Sequence, residues 1–305
     1  MKKLFKLYPV IFLLILSTSI KTNAQIDMAI APIGTVEESD IEKVKFYYTK
    51  TFDSLLLEER YLSIIILGDR MANDGNPQIA KLPIPYLIPA YYFNGNKISS
   101  RNLLNDTISK LDYSGLIELL TTSNIGFIKF FNEPGNREPI INLAIDDYRK
   151  NVKATDKASG EQIISFFIND QSIRKAKYAF KKEDQQAQDK LEKEFREQDS
   201  IQNAKVYAFY KKHNKYLSEE EVGKTVSWYQ PIILSHYDNI KIRQTFFKDL
   251  LEKAVKEGRL EKTSYVHFIL RTESFTDPDF FKNLEKRIEE VRKEFDLPDY
   301  LWNPF

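Results

Sequence analysis

Asp170 and Arg174 are the first residues in this chain whose types and spacing suggest chemistry. They lie in "QIISFFINDQSIRKAKYAF", residues 162–180. At about 100° per residue on a helix, Asp170 points within about 20° of Ile163 and about 40° of Phe166, with Phe167 and Ile173 about 60° to either side. Arg174, four residues on, shares that face. A lone carboxylate among hydrocarbon is costly, so it requires a partner, and a guanidinium fork can supply one. Two readings stand: a buried ion pair joining helices, or an acid, base or ligand clamp in a helix-lined cleft.

The three histidines are His213, His236 and His267. His213, in "KKHNK", sits near a helix end and reads as solvated. His236 follows the apolar "PIIL" and precedes Tyr237-Asp238, which suits either a satisfied structural histidine or cleft chemistry. His267 lies in "YVHFIL" and shares a face with Arg271, a candidate binding residue. An Asp170–His236 pair is the candidate catalytic acid/base, with Arg174 orienting a ligand.

Other chemistries lack their residues. With no cysteine there is no disulfide frame, thiolate nucleophile or cysteine metal site. No HExxH, nucleophile elbow, Walker A or dinucleotide fingerprint is present. The histidines lack metal-ligand spacing, so no metal and no cofactor is expected. "GDRMANDGN" (68–76) imitates a calcium loop, but Arg70 and Ala72 occupy ligand places.

Residues 1–24, "MKKLFKLYPVIFLLILSTSIKTNA", have the charged, apolar and small-residue layout of a secretory signal peptide, with cleavage expected between Ala24 and Gln25. Its removal takes away Lys2, Lys3, Lys6 and Lys21 and moves the formal charge from +1 to −3. There is then no basic excess for nucleic acid, and no later segment is apolar enough to span a membrane. The expected location is periplasmic or secreted, and the expected partner an envelope protein or a cell-wall ligand.

The elements that must carry these residues divide the chain in two. Residues 25–150 read as a small mixed α/β domain. "RYLSIIIL" (60–67), "IPAYYFNGNKI" (88–98), "GFIKFF" (126–131) and "EPIINLAI" (138–145) are strand candidates, with one or two short helices over 100–122. "KLPIPYLIP" (81–89) reads as non-helical because of its prolines. A polar connection over 146–162 leads into 151–305, an all-helical domain. There Asp199 is expected to cap a helix, Ser218 and Glu221 form a capping box for "EEEVGKTVSWYQ", Gly258 ends a helix, and Asp277-Pro278 opens the last one. The fold expected is therefore α+β.

The stretch from "FFINDQSIR" to "FILRTESF" resembles a bacterial family designated domain of unknown function 6624. Asp170, Gln171 and Arg174 match its Asp-Gln-x-x-Arg helix, Asp199 and Asn203 its Asp-x-x-x-Asn, Val222-Gly223 its "vG" step, and His236 its histidine after an apolar run. Where that family continues with an Asp-Arg pair, this chain has Leu270-Arg271. The resemblance implies a clustered polar site that includes Gln171 and Asn203, and names no reaction. Residues 88–146 are also similar to the strand–helix–strand pattern of plug-type domains in outer-membrane receptors. The function expected is an exported binding or interaction module, with a hydrolase-like enzyme as the alternative.

Overall fold

A computed structural model describes residues 41–73, 77–176 and 185–297, so the expected signal peptide and its cleavage point lie outside the described residues. Among the described residues every regular element is helical and there is no strand, which overturns the α+β expectation. The chain forms two compact units, divided between Asn105 and Asp106.

The first unit contains α1 (Ile41–Leu57), α2 (Tyr61–Ala72), α3 (Pro77–Lys81) and α4 (Ile84–Phe93); α5 (Lys97–Ile108) runs across the division. The strand expected at 60–67 is α2. A strand would put Ile64 and Ile66 on one side, yet Ile64 is fully buried and Ile66 is 38% exposed. Ile64, Leu67, Gly68 and Met71 instead form a helical stripe. Gly68 lets that stripe meet α4, since a Cβ there would stand 2.6 Å from a Leu87 methyl. The proline-rich stretch is also helical: Pro85 occupies the first turn, where no donor is missed, and Pro89 is carried inside α4. Residues 88–98 are the end of α4, a turn with Gly95 at φ +87°, and the start of α5.

The second unit opens with α6 (Tyr113–Leu120), α7 (Ile125–Asn132) and α8 (Glu138–Asn151). "GFIKFF" is α7: the Asn124 side chain accepts from the Phe127 amide at 3.0 Å, and Phe127, Phe130 and Phe131 turn inward at helical spacing. "EPIINLAI" is α8, with Pro139 in its first turn and Ile140, Ala144 and Tyr148 buried. Short apolar runs suit either period, and here caps and first-turn prolines decide for helix. The plug-type likeness falls with the strands.

α9 (Lys157–Ala176) and α10 (Gln185–His213) follow, then α11 (Glu219–Val222), α12 (Lys224–Ser235) and α13 (Ile240–Ile242). α13 runs through a π-helical turn, Arg243–Phe247, into α14 (Lys248–Lys256); α15 (Lys262–Glu273) and α16 (Leu284–Phe295) complete the unit. Asp199 lies inside the continuous α10 rather than at a cap. The Ser218–Glu221 capping box is formed, but its helix stops at Gly223, whose φ of +86° breaks the expected single helix into α11 and α12. The last helix starts after a short 3-10 turn, later than Asp277-Pro278 predicts.

Helix α9 is the pivot of this unit, packing on α10, α12 and the α6–α8 group. Phe167 stacks on Tyr229 of α12 with centroids 3.8 Å apart, and Phe166 meets Phe209 of α10 edge-on. Gln202 donates to the Phe166 carbonyl at 2.6 Å. Gly160 admits the Tyr148 ring, whose hydroxyl donates to the Val222 carbonyl at 2.8 Å; a Cβ at residue 160 would overlap that phenol. These contacts fix α9 against α10 and α12, the two helices that face its Asp170.

Candidate functional site

Asp170 is 3% exposed, on a helix whose Ile163, Phe166, Phe167 and Ile168 are buried. Its Oδ1 accepts from Arg174 Nε at 2.9 Å, and its Oδ2 from Gln171 Nε2 at 2.9 Å and His236 Nδ1 at 2.7 Å. Burial pushes the Asp170 carboxyl up, but the hydrogen bond and charge of His236, with Arg174, outweigh it and hold the carboxyl below the ordinary carboxylate range. An ionised carboxylate only accepts, so His236 must donate from Nδ1, which leaves Nε2 with the lone pair in the neutral ring.

Arg174 ties the cluster to two further helices. Its Nη2 donates to Asp199 Oδ1 on α10 at 3.2 Å and to the His236 carbonyl at 3.1 Å. That carbonyl closes the C-terminus of α12, where a cation is favoured by the helix dipole. Phe195 of α10 lies 5.7 Å from the guanidinium carbon. Asn203, buried, donates to the other Asp199 oxygen at 3.2 Å. The Asp199 carboxyl is pushed up, by burial first and by the Asp170 charge, against the pull of Arg174 and Asn203. Gln171, Arg174 and His236 therefore meet around the Asp170 carboxylate, across 66 residues of sequence between Asp170 and His236, and Arg174 joins them to the Asp199 carboxylate that Asn203 holds. Arg271 has its guanidinium carbon 5.4 Å from the centre of the Phe275 ring.

His236 and Gln171 also line a cavity of about 350 Å³ between α9, α12 and α15. Its other walls include Trp228, Thr263, Ser264 and His267. Burial, with the nearby His236 and Arg271, holds the His267 imidazole below its ordinary pKa and so favours its neutral form. Sequence reasoning pairs His267 with Arg271 and passes over Thr263 and Ser264. The signal was available: residues 263 and 264 lie four and three positions before His267, on one face of a helix. Asp170 and Arg174 stand behind this wall, and the imidazole is what they present to it.

Among the described residues no group of three or more acidic or histidine side chains could hold a metal ion, and no helix is long and apolar enough to cross a membrane. No family model matches the chain, and no curated protein or solved structure matches it either.

Proposed function

We propose that the second unit is an acid–base catalyst of hydrolase type, with His236 as the proton-transferring group. The observation that carries this reading is that one imidazole is held through Nδ1 by a buried, ionised Asp170 while the same ring borders a cavity. A carboxylate behind a histidine fixes its tautomer and orientation, leaving Nε2 to take a proton from water or a hydroxyl. Arg174 and Asp199 position the pair. Gln171, Thr263, Ser264 and His267 are the polar groups available to a small substrate, and the volume is near the lower end for small-molecule sites.

The resemblance to domain of unknown function 6624 is part of this proposal. Of the residues that carry it, Asp170, Gln171, Arg174 and His236 gather at one carboxylate, and Arg174 joins them to Asp199 and Asn203, which supports reading that pattern as a site. Export to the periplasm or medium is proposed from the N-terminal layout; mass spectrometry of the purified protein should find Gln25 at its N-terminus, and an intact Met1 terminus would contradict export.

Turnover is tested with small ester, amide, glycoside and phosphodiester substrates, using wild type, His236→Gln and Asp170→Asn. The expected result is an activity lost in His236→Gln and reduced about 100-fold or more in Asp170→Asn. An activity that survives His236→Gln overturns the assignment. A binding module remains the second reading, favoured by Trp228, which is 54% exposed on the cavity wall. Saturable ligand binding quenching Trp228 fluorescence, with no turnover of any class, would establish it instead.

A further inference from the structure

A second arginine poses a different problem from Arg174. Arg243 opens the π-helical turn between α13 and α14 and is 1% exposed. Among the described residues its only hydrogen bond is a long one, from Nη1 to the Tyr237 carbonyl at 3.5 Å. Nε and Nη2 are shut off from solvent and have no hydrogen-bond partner. No carboxylate lies within ion-pair distance of it among the described residues. The charges that act on it are both cations, Arg271 and Arg174; with burial as the larger cause, they push its pKa down to about 10. The flanking Phe275 ring, with its centre 5.0 Å from the guanidinium carbon, offers weak cation–π compensation, and it is itself 60% exposed.

A buried cation without an anion is costly, and folding alone gives no reason to keep one. Arg243 borders a cleft of about 580 Å³, separate from the His236 cavity, formed by α14, α15, α16 and the π turn. Lys248 and Arg287 stand on the same lining. Two of the acids there are already engaged: Glu273 accepts from Arg287 through both oxygens, at 2.7 and 2.8 Å, and Glu252 accepts from Lys256 at 2.6 Å. The third, Glu294, acts on Tyr265 and does not figure among the charges at Arg243. A π-helical turn interrupting an α-helix is itself a frequent mark of a functional position.

We propose that this cleft binds a small oxyanion, a phosphate or carboxylate group, on the Arg243 guanidinium. The planar fork suits two parallel hydrogen bonds to such a group through the nitrogens that have no protein partner. Lys248 contributes a second positive charge at the cleft wall.

Thermal melts of the full chain in inorganic phosphate and in acetate, each against chloride at matched ionic strength, test this. At phosphate about tenfold above its Kd, Tm should rise by about 3 °C. A larger rise with acetate assigns the site to carboxylates and a larger rise with phosphate assigns it to phosphates; either supports the proposal. In Arg243→Met the rise should vanish while Tm without added anion stays the same or increases, because a desolvated charge is removed. Arg243→Lys should fold and bind about tenfold more weakly, having lost the fork. His236→Gln should keep the full response, which separates this site from the acid–base cavity. No anion-specific rise in wild type, or an undiminished rise in Arg243→Met, overturns the proposal.

Discussion

Arg174, half-buried, and Arg243, fully buried, lie in the same helical unit, yet their surroundings are opposite. Arg174 donates to two carboxylates and to a helix-terminal carbonyl, so its charge is matched on three sides. Arg243 reaches one distant carbonyl and faces other cations. The first arrangement is complete within the protein. The second is incomplete without something else, and that contrast separates a group that holds a site together from a group that waits on a ligand.

The contrast can be broken most sharply at its anchor. Asp170→Ala removes the carboxylate and leaves Arg174 and His236 facing a hole, so unfolding in urea should show a loss of about 3 kcal/mol. Wild-type stability would mean that the carboxylate is not buried as described. The two arginines should then separate under one substitution. Arg174→Met should cost about 2 kcal/mol, because the buried Asp170 and the half-buried Asp199 lose their shared cation. Arg243→Met should change stability by less than about 0.5 kcal/mol or raise it, because it strands no carboxylate. Equal losses at the two positions would erase the distinction.

Acidity probes the same network more gently. Asp170 is held below its unfolded pKa, so its contribution is complete above about pH 4 and is lost as pH falls through the folded value. Asp199 is raised and works the other way, gaining stability from protonation as pH falls below its folded value. The acid limb of a stability–pH curve should therefore flatten in Asp170→Asn and steepen in Asp199→Asn. The smallest effect belongs to His267. Its lowered pKa means that the unfolded chain binds the extra proton first, so stability falls as pH drops below about 6.5. His267→Gln should remove that slope, and an unchanged slope would place His267 in water.

Much of the Asp170 environment is legible in the sequence, because a carboxylate at helical spacing among Ile163, Phe166 and Phe167 has few bland explanations. His236 can be named from the sequence as a candidate partner, but its contact with Asp170 cannot be read there. The approach depends on α9 packing against α12 through Phe167 and Tyr229, and no local pattern encodes that contact. The strand expectations fail for the opposite reason: local signals are present but ambiguous, and the caps at Asn124 and the first-turn prolines at 85 and 139 outweigh β-branched propensity. Arg243 escapes notice altogether. In "NIKIRQTFF" it reads as one more surface cation, and only the packing around the π turn buries it.

The tautomer of His236 tests the central claim most directly. Long-range 15N–1H correlation NMR at about pH 8, where an ordinary imidazole is neutral, should show the proton on Nδ1 and a bare Nε2, with that preference lost in Asp170→Asn. A proton on Nε2 in the wild-type protein would mean that Asp170 does not hold the ring, and the acid–base assignment would fail with it.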